Sequence, residues 1–123
     1  MRSRFLLPAL LLTTSLSCHP RQVAPVNREL LSQEDMLKEH FTYVYDAVAS
    51  LRSGWLVIRG TDSFRQTSQI WVYYDETRLG GLDELRSVLV TSVAGVRHYN
   101  GVEATQRWGV GHNAGAIQIL SHM

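Results

Sequence analysis

The chain has 123 residues, which is enough for one domain. Its 12 basic and 11 acidic side chains give a formal net charge of +1, and loss of Arg2 and Arg4 with an N-terminal leader would leave ten basic side chains against the same 11 acidic ones. This balance gives no electrostatic footprint for nucleic acid. No segment after the leader approaches the roughly 20 apolar residues that a membrane-spanning helix needs.

The N-terminus has the pattern of a secretory signal peptide. Two arginines are followed by the apolar run FLLPALLL, Phe5 to Leu12, and then by small polar residues. The run is too short to cross a bilayer, and its proline and lack of an amphipathic face disfavour the alternative of a buried N-terminal helix. We therefore expect residues 1–17 to be a signal peptide.

Cys18 is the only cysteine, so an intramolecular disulfide is impossible. A single cysteine directly after an apolar leader resembles the bacterial lipoprotein signal, in which that cysteine is acylated and becomes the mature N-terminus. Ser17 fits this pattern, whereas Ser15 stands where leucine is preferred. We favour lipidation of Cys18 over ordinary cleavage nearby, which would leave a free thiol in an oxidising compartment. Because no aspartate follows the cysteine, we expect the outer rather than the inner membrane.

The remainder divides into a tether and one domain. Residues 18–27 contain two prolines and no apolar periodicity, which predicts a lipidated cysteine on a flexible tether. Residues 28–123 are predicted to form the folded domain, which is small but able to build one modest core.

Two short helices are predicted at the start of this domain. Ser32 followed by Asp35 resembles a capping box, Thr42 is expected to cap the second helix, and Gly54 to end it. Apolar residues at three- and four-residue steps predict one buried helical face. That face comprises Leu37, Phe41, Val44, Val48 and Leu51.

The later segments predict strands. Trp55 to Arg59 and Gln69 to Asp75 are rich in β-branched and aromatic residues, VRHYN is a short strand, and GAIQILS alternates as a half-buried last strand. A turn is expected at Gly80–Gly81, with a helical turn opening at Asp83. The whole predicts an α+β fold: a small mixed sheet of about four strands with two or three short helices. Its expected core residues are Val72, Val96, Ile117 and Ile119.

The glycines near the C-terminus are interpreted as turn residues. Gly109, Gly111 and Gly115 form a G-x-G-x-x-x-G frame, but a phosphate-binding loop needs a strand before it and a helix N-terminus after it, whereas here a strand follows. Positive φ or close backbone approach explains such glycines better. The expected structural turns use Gly80, Gly81, Gly101, Gly109, Gly111 and Gly115.

Two catalytic or metal-binding hypotheses find little support. His98, Glu103 and His112 have no ligand spacing typical of a metal site, so we expect no metal and no cofactor, and His98 is expected to face outward from a strand. The carboxylates Asp75, Glu76, Asp83 and Glu84 would be needed for a small periplasmic hydrolase, but they flank a polar turn. No G-x-S-x-G motif occurs. We therefore expect no enzymatic activity and keep the hydrolase as the alternative.

Aromatic side chains are frequent in the predicted strands. They would form a stacking platform for a ligand if they shared one exposed face, but half of the side chains on a strand are expected to face the core. We therefore interpret most of them as core. The set is Trp55, Trp71, Tyr73, Tyr74, Tyr99 and Trp108.

The order of segments resembles the plug domain of TonB-dependent outer-membrane receptors. A two-helix opening with the text YDAV is followed by the strand and turn WVYYDETRLGG, by LDELRSV, and by the closing stretch QRWGVGHNAGAIQI. The resemblance covers about residues 30–121. It departs from the family at Glu76, where a glycine usually follows the aspartate, and residues 19–27 contain no convincing energy-coupling box.

The resemblance implies a stand-alone plug-like lipoprotein without the receptor's β-barrel, because the sequence stops at Met123. Transport is then not inherited with the fold. The implied role is binding or adaptation at the periplasmic face of the outer membrane, with an envelope protein or a small ligand as partner; a non-functional remnant of a receptor is the alternative. The loops Thr61 to Gln69, Asp75 to Leu82 and Gln106 to Asn113 are expected to make the contacts. Candidate binding residues are Asp75, Arg78, Arg107 and His112.

Overall fold

The computed structural model of the chain describes residues 27–59 and 68–123. The predictions for the signal peptide, for Cys18 and for most of the tether lie outside these residues. The described part is a mixed α+β fold, so the predicted class is confirmed, with five strands rather than four. The elements in chain order are β1 (Leu30–Ser32), α1 (Gln33–Lys38), α2 (Val44–Leu51), β2 (Trp71–Tyr74), β3 (Thr77–Gly80), β4 (Gly95–Tyr99), α3 (Gly101–Trp108) and β5 (Ala116–Leu120). Short 3₁₀ helices lie at Ser53–Leu56, Leu82–Ser87 and Val90–Ser92.

The five strands form one sheet in the order β1-β4-β5-β2-β3. Strand β5 pairs antiparallel with β4 and parallel with β2, whereas the two outer pairs are antiparallel. The last strand in sequence therefore lies at the centre of the sheet. Its side chains are buried on both faces from Ala116 to Ile119, so the prediction of a half-buried strand was wrong.

The main core lies between one face of the sheet, here called the first face, and the helices α1 and α2 with the 3₁₀ segments. The predicted core residues Val72, Val96, Ile117 and Ile119 are each fully buried on this face. At about 1.5–3 kcal/mol for each fully buried aliphatic side chain, this cluster is the chief source of stability. It also contains Leu31, Met36, Val44, Ala47, Val48, Trp55, Ile70, Leu85, Val90, Val93 and Ala114.

The two predicted helices are present, but the apolar face changes between them. The Ser32 hydroxyl accepts a hydrogen bond from the Asp35 amide and donates to its carboxylate, as the sequence predicted. Helix α1 is only six residues long, and His40 follows it with φ 61°. This break interrupts the helical period, so Met36 is buried whereas Leu37 is 42% exposed, contrary to the prediction. Phe41 is partly buried, and the N-cap position of α2 is Tyr43, whose side chain forms no capping hydrogen bond, rather than Thr42. Helix α2 ends at Leu51 and not at Gly54, which lies within the following 3₁₀ helix.

The strand predicted from Trp55 to Arg59 does not exist. Ser53–Leu56 is a 3₁₀ helix that buries Trp55, and Val57 and Ile58 are 54% and 50% exposed. β-propensity reflects packing on a paired strand. Both sides of β2 are occupied by β3 and β5, and residues 55–59 pair with none of the five strands.

The hairpin turn lies earlier than predicted. Tyr74 pairs with Thr77, so the two-residue loop is Asp75–Glu76, and Asp75 has φ 51°. Aspartate tolerates this left-handed conformation better than most residues. Gly80 instead ends β3 and Gly81 precedes the 3₁₀ helix that was predicted to open near Asp83.

Helix α3 was not predicted. Asn100 and Glu103 form a complete capping box at its N-terminus, a signal that the glycines around it obscured. Gly101 begins this helix with its Cα against the carbonyl of Asn113, so the glycine permits close backbone approach rather than a turn. No helix in the described ranges, 27–59 and 68–123, has both the length and the apolar composition to span a membrane.

We expect Asn100→Ala to destabilise the protein by about 1 kcal/mol. The Asn100 side-chain oxygen accepts from the amides of Val102 and Glu103, each at 3.0 Å, and the alanine side chain cannot. Urea denaturation measures the change. Gln106→Ala, on the exposed side of the same helix, is the matched control and should change stability by less than about 0.5 kcal/mol. Equal losses in both variants would contradict a specific cap.

Candidate functional site

The sheet face opposite the main core, here called the second face, carries the candidate site. Strand register places one residue of each strand in a single row across it. The middle residues of the row, Gln118 and Tyr73, are buried, whereas the arginines that flank them are exposed. From β1 to β3 the row is Leu30, Arg97, Gln118, Tyr73 and Arg78.

Helix α3 and the segment after it cover the centre of the second face. Trp108, in the last turn of α3, stacks on Tyr73 with ring centroids 4.2 Å apart and meets the edge of Tyr99 at 5.1 Å. The indole nitrogen of Trp108 is buried and has no hydrogen-bond partner among the described residues. Packing of the rings, with Ala104 and Ala116, therefore holds the helix to the sheet.

A buried histidine ties the glycine segment to this cluster. His112 is 3% exposed; its Nδ1 lies 2.9 Å from the Gly109 carbonyl and its Nε2 lies 2.6 Å from the Tyr73 hydroxyl. Because a carbonyl can only accept, Nδ1 carries the hydrogen, and in the neutral ring Nε2 accepts from Tyr73. Both ring nitrogens of His112 therefore form hydrogen bonds within the chain, and these bonds fix the orientation of the ring.

Gln118 is the second buried polar residue, 3% exposed, and it lies in the central strand. Its amide oxygen accepts from the Tyr99 hydroxyl at 2.9 Å, and its amide nitrogen donates to the Asp75 carbonyl at 2.6 Å. The residue thus joins β4 to the β2–β3 hairpin. Buried polar groups satisfied in this way fix the relative positions of the elements that they join.

Three arginines lie over aromatic rings at the margins of the second face. The guanidinium carbon of Arg78 is 4.7 Å from the centroid of Trp71, and that of Arg97 is 5.1 Å from Tyr99. Arg107 lies 5.4 Å from Tyr99 and 5.1 Å from Trp108. We call this set of six residues the arginine–aromatic surface.

The hairpin turn adds two carboxylates beside this surface. Glu76 pairs with Arg107 at 2.5 Å. Asp75 accepts the Ser121 amide at 3.0 Å, and hydrogen bonds from the Ser121 amide and side chain lower the pKa of the Asp75 carboxyl below its ordinary value. Both acidic groups are therefore engaged within the chain.

The structure places all four predicted binding residues in or beside the second face. Arg78 and Arg107 belong to the arginine–aromatic surface, Asp75 lies beside it in the hairpin turn, and His112 is buried beneath it. Sequence reasoning missed Arg97, although its alternation with buried Val96 in β4 marks it as facing the opposite side. Of the predicted contact loops, most of 61–69 lies outside the described residues.

In the described part of the chain, the acidic residues proposed for a hydrolase are divided between a cleft and an exposed surface. A cleft of about 450 Å³ is lined by Asp75 and Glu76, whereas Asp83 and Glu84 are exposed on the 3₁₀ helix after β3 and do not line it. A hydrolase of the kind considered above needs a shared, partly dry pocket that gives its carboxylates different pKa values. This geometry lends the hydrolase hypothesis no support.

The histidines considered for a metal lie on opposite faces. His98 is on the first face, where it pairs with Glu29 at 2.7 Å and stacks on Trp55, so the expectation of an outward-facing residue was wrong. His112 is on the second face. Within residues 27–59 and 68–123, no group of three or more potential ligand side chains is positioned to hold a metal ion.

The buried Tyr73 phenol gives a prediction for alkaline pH. Burial raises the pKa of Tyr73 above 10.0, and the charge of Arg78 opposes this only in part. A raised folded-state pKa stabilises the fold fully below about pH 10, and this contribution is lost as the pH rises through the raised value.

We therefore expect Tyr73→Phe to lose about 1–3 kcal/mol below about pH 10, since His112 Nε2 is left unpaired. Above about pH 10, the difference in unfolding free energy between Tyr73→Phe and the wild type should become smaller. Denaturant midpoints on either side of about pH 10 provide the measurement. Tyr43→Phe, at an exposed position, controls for loss of a hydroxyl; a gap of constant size would contradict the prediction.

Comparisons with protein-family models, with curated protein sequences and with solved structures found no match.

Proposed function

We propose that this protein is a non-enzymatic binding or adaptor lipoprotein of the cell envelope that uses the arginine–aromatic surface to bind another envelope protein. The observation that carries the proposal is the set of three guanidinium groups over aromatic rings, on a sheet face whose margins helix α3 leaves uncovered. Arginine, tryptophan and tyrosine are the residue types that most often dominate interface energies. The resemblance of the sequence to receptor plug domains, which act through contacts with other proteins and ligands, also supports a binding role.

The chemistry of the surface indicates the chemistry of the partner. A guanidinium that lies over an aromatic ring still carries a planar fork of N–H donors, and this fork matches the two oxygens of a carboxylate. The partner is therefore a protein that presents aspartate or glutamate side chains to the margins of the second face. Arg107 already binds one carboxylate, that of Glu76, which serves as an internal example of the contact.

The proposal places the domain on a lipid anchor at the periplasmic face of the outer membrane. The support is the leader pattern that ends at Cys18, and two or more acyl chains hold a protein firmly to a bilayer. Mass spectrometry of the mature N-terminus tests the anchor. An unmodified N-terminus at another residue would contradict it and would leave the surface proposal to be judged separately.

Photo-cross-linking in intact envelopes tests the surface. A photoreactive amino acid is introduced in place of Arg78 or Arg107 on the second face, and in place of Glu34 or Arg86 as matched controls on exposed sites elsewhere. We expect one outer-membrane or periplasmic protein to be captured at the first two positions and not at the controls. Acidic residues of the captured protein should map to the cross-linked peptide.

Capture of the same abundant proteins at all four positions, from variants that fold normally, would contradict the adaptor proposal. That result would favour the alternative of a folded remnant without a partner. Circular dichroism of each variant tests whether folding is retained.

A further inference from the structure

A cleft at the margin of the second face has the size of a small-ligand site. It has a volume of about 450 Å³ and lies between the C-terminal end of β2, strand β4 and helix α3. Ligand sites are typically about 300–1,000 Å³ and combine apolar walls with a few converging polar groups. The lining residues are Asp75, Glu76, Arg97, Tyr99, Arg107, Gln118, Leu120 and His122.

Most of the polar groups in this cleft already have partners in the chain. Asp75 accepts the Ser121 amide, Glu76 pairs with Arg107, and Gln118 bonds to Tyr99 and to the Asp75 carbonyl. These contacts fix the floor and one wall. They leave the cleft with a preformed shape rather than with loose side chains.

Arg97 is different. It forms no ion pair within the parts of the chain that the structure describes, 27–59 and 68–123. Its guanidinium carbon lies 5.1 Å from the Tyr99 centroid, so the ring holds the group at the cleft wall. Arg107 lies over the same ring and binds the carboxylate of Glu76, which shows the kind of group that an arginine in this position binds.

We propose that this cleft binds a small molecule that carries a single carboxylate, and that Arg97 receives that carboxylate. One anionic group is expected because the second guanidinium is occupied by Glu76. The carbon skeleton of the ligand would pack against the partly exposed side chain of Leu120, which favours a small aromatic or short aliphatic acid. This inference goes beyond the proposed function: it assigns Arg97 to a small ligand and leaves Arg78 and Arg107, the two cross-linking positions, to the protein partner.

Benzoate is the probe, benzyl alcohol is its uncharged counterpart, and inorganic phosphate is a second anion. Titrations are followed by the amide signals of the folded protein. We expect saturable shifts near Arg97, Tyr99 and Leu120 with benzoate, weakened by added salt, and none that saturate with benzyl alcohol. Arg97→Gln should weaken benzoate binding about tenfold or more, and Arg97→Lys should weaken it less.

Arg86→Gln is the matched control. Arg86 also lies over a tyrosine, 3.7 Å from the centroid of Tyr45, but it does not line the cleft, so benzoate binding should not change. Equal affinity for benzoate and benzyl alcohol, unchanged binding in Arg97→Gln, or tighter binding of phosphate would each overturn the inference. If Arg97→Gln does not fold, Arg97→Ala, which also removes the charge from this exposed position, is judged by the same criterion.

The two proposals fail separately. Benzoate binding without a specific cross-link at Arg78 or Arg107 would contradict the adaptor proposal and support the ligand-site proposal. A specific cross-link with no saturable benzoate shifts would support the adaptor proposal and contradict the ligand-site proposal.

Discussion

Replacing Gly115 by alanine is expected to cost about 3 kcal/mol or more of unfolding free energy. Gly115 has φ +96°, and a Cβ on it would lie 2.6 Å from the Tyr99 carbonyl oxygen of the neighbouring strand β4. A residue other than glycine held in such a conformation costs about 1–3 kcal/mol. The backbone clash adds to this cost, because Tyr99 pairs with Ala116 and its backbone cannot move away from Gly115 without disturbing that pairing.

Gly109→Ala separates the two causes. Gly109 has nearly the same φ, +92°, but nothing within 4 Å of the added Cβ. It should therefore show the conformational cost alone. Denaturant unfolding of both variants gives the comparison, and a loss in Gly115→Ala no larger than in Gly109→Ala would show that the close approach to Tyr99 is unimportant.

Truncating Ile117 to alanine is expected to cost about 2–5 kcal/mol. Ile117 is 0% exposed in the central strand and faces the main core, so removing its side chain leaves a cavity that the sheet cannot easily close. Thermal or urea unfolding, with refolding checked, measures the loss.

Val102→Ala provides the comparison for this truncation. Val102 is 69% exposed on α3, and its truncation should change stability by less than about 0.5 kcal/mol. A loss below about 1 kcal/mol in Ile117→Ala would mean that the first-face core collapses around the cavity, contrary to the close packing that the burial indicates.

Sequence pattern predicted the first-face core better than the element boundaries. Val72, Val96, Ile117 and Ile119 were expected to be buried and are, because strand alternation is a local property of the chain. Leu37 was misassigned because one apolar period was applied to both predicted helices, across the break at His40. Trp55 was assigned to a strand because β-propensity does not report whether a pairing partner exists.

The second face was harder to predict, because its residues come from distant parts of the chain. Arg78, Arg107 and His112 could be nominated singly, but their gathering around one aromatic cluster depends on the parallel pairing of β2 with β5 and on helix α3. The place of Arg97 in a cleft with Tyr99 and helix α3 could not be inferred, because α3 itself was not predicted. The Asn100 capping box was the one local signal that would have revealed this helix.

The central position of β5 also has a consequence for how the chain reaches its native state. The pair formed by β1 with β4 and the hairpin formed by β2 with β3 have no strand in common until β5 inserts between them. Contacts of high sequence separation slow folding, since loop-closure entropy is lost before the contacts form. While β5 is absent, β4 and β2 each present an unpaired edge, which is the kind of surface that joins other chains into aggregates. We therefore expect the insertion of β5 between β4 and β2 to limit the rate at which this domain folds.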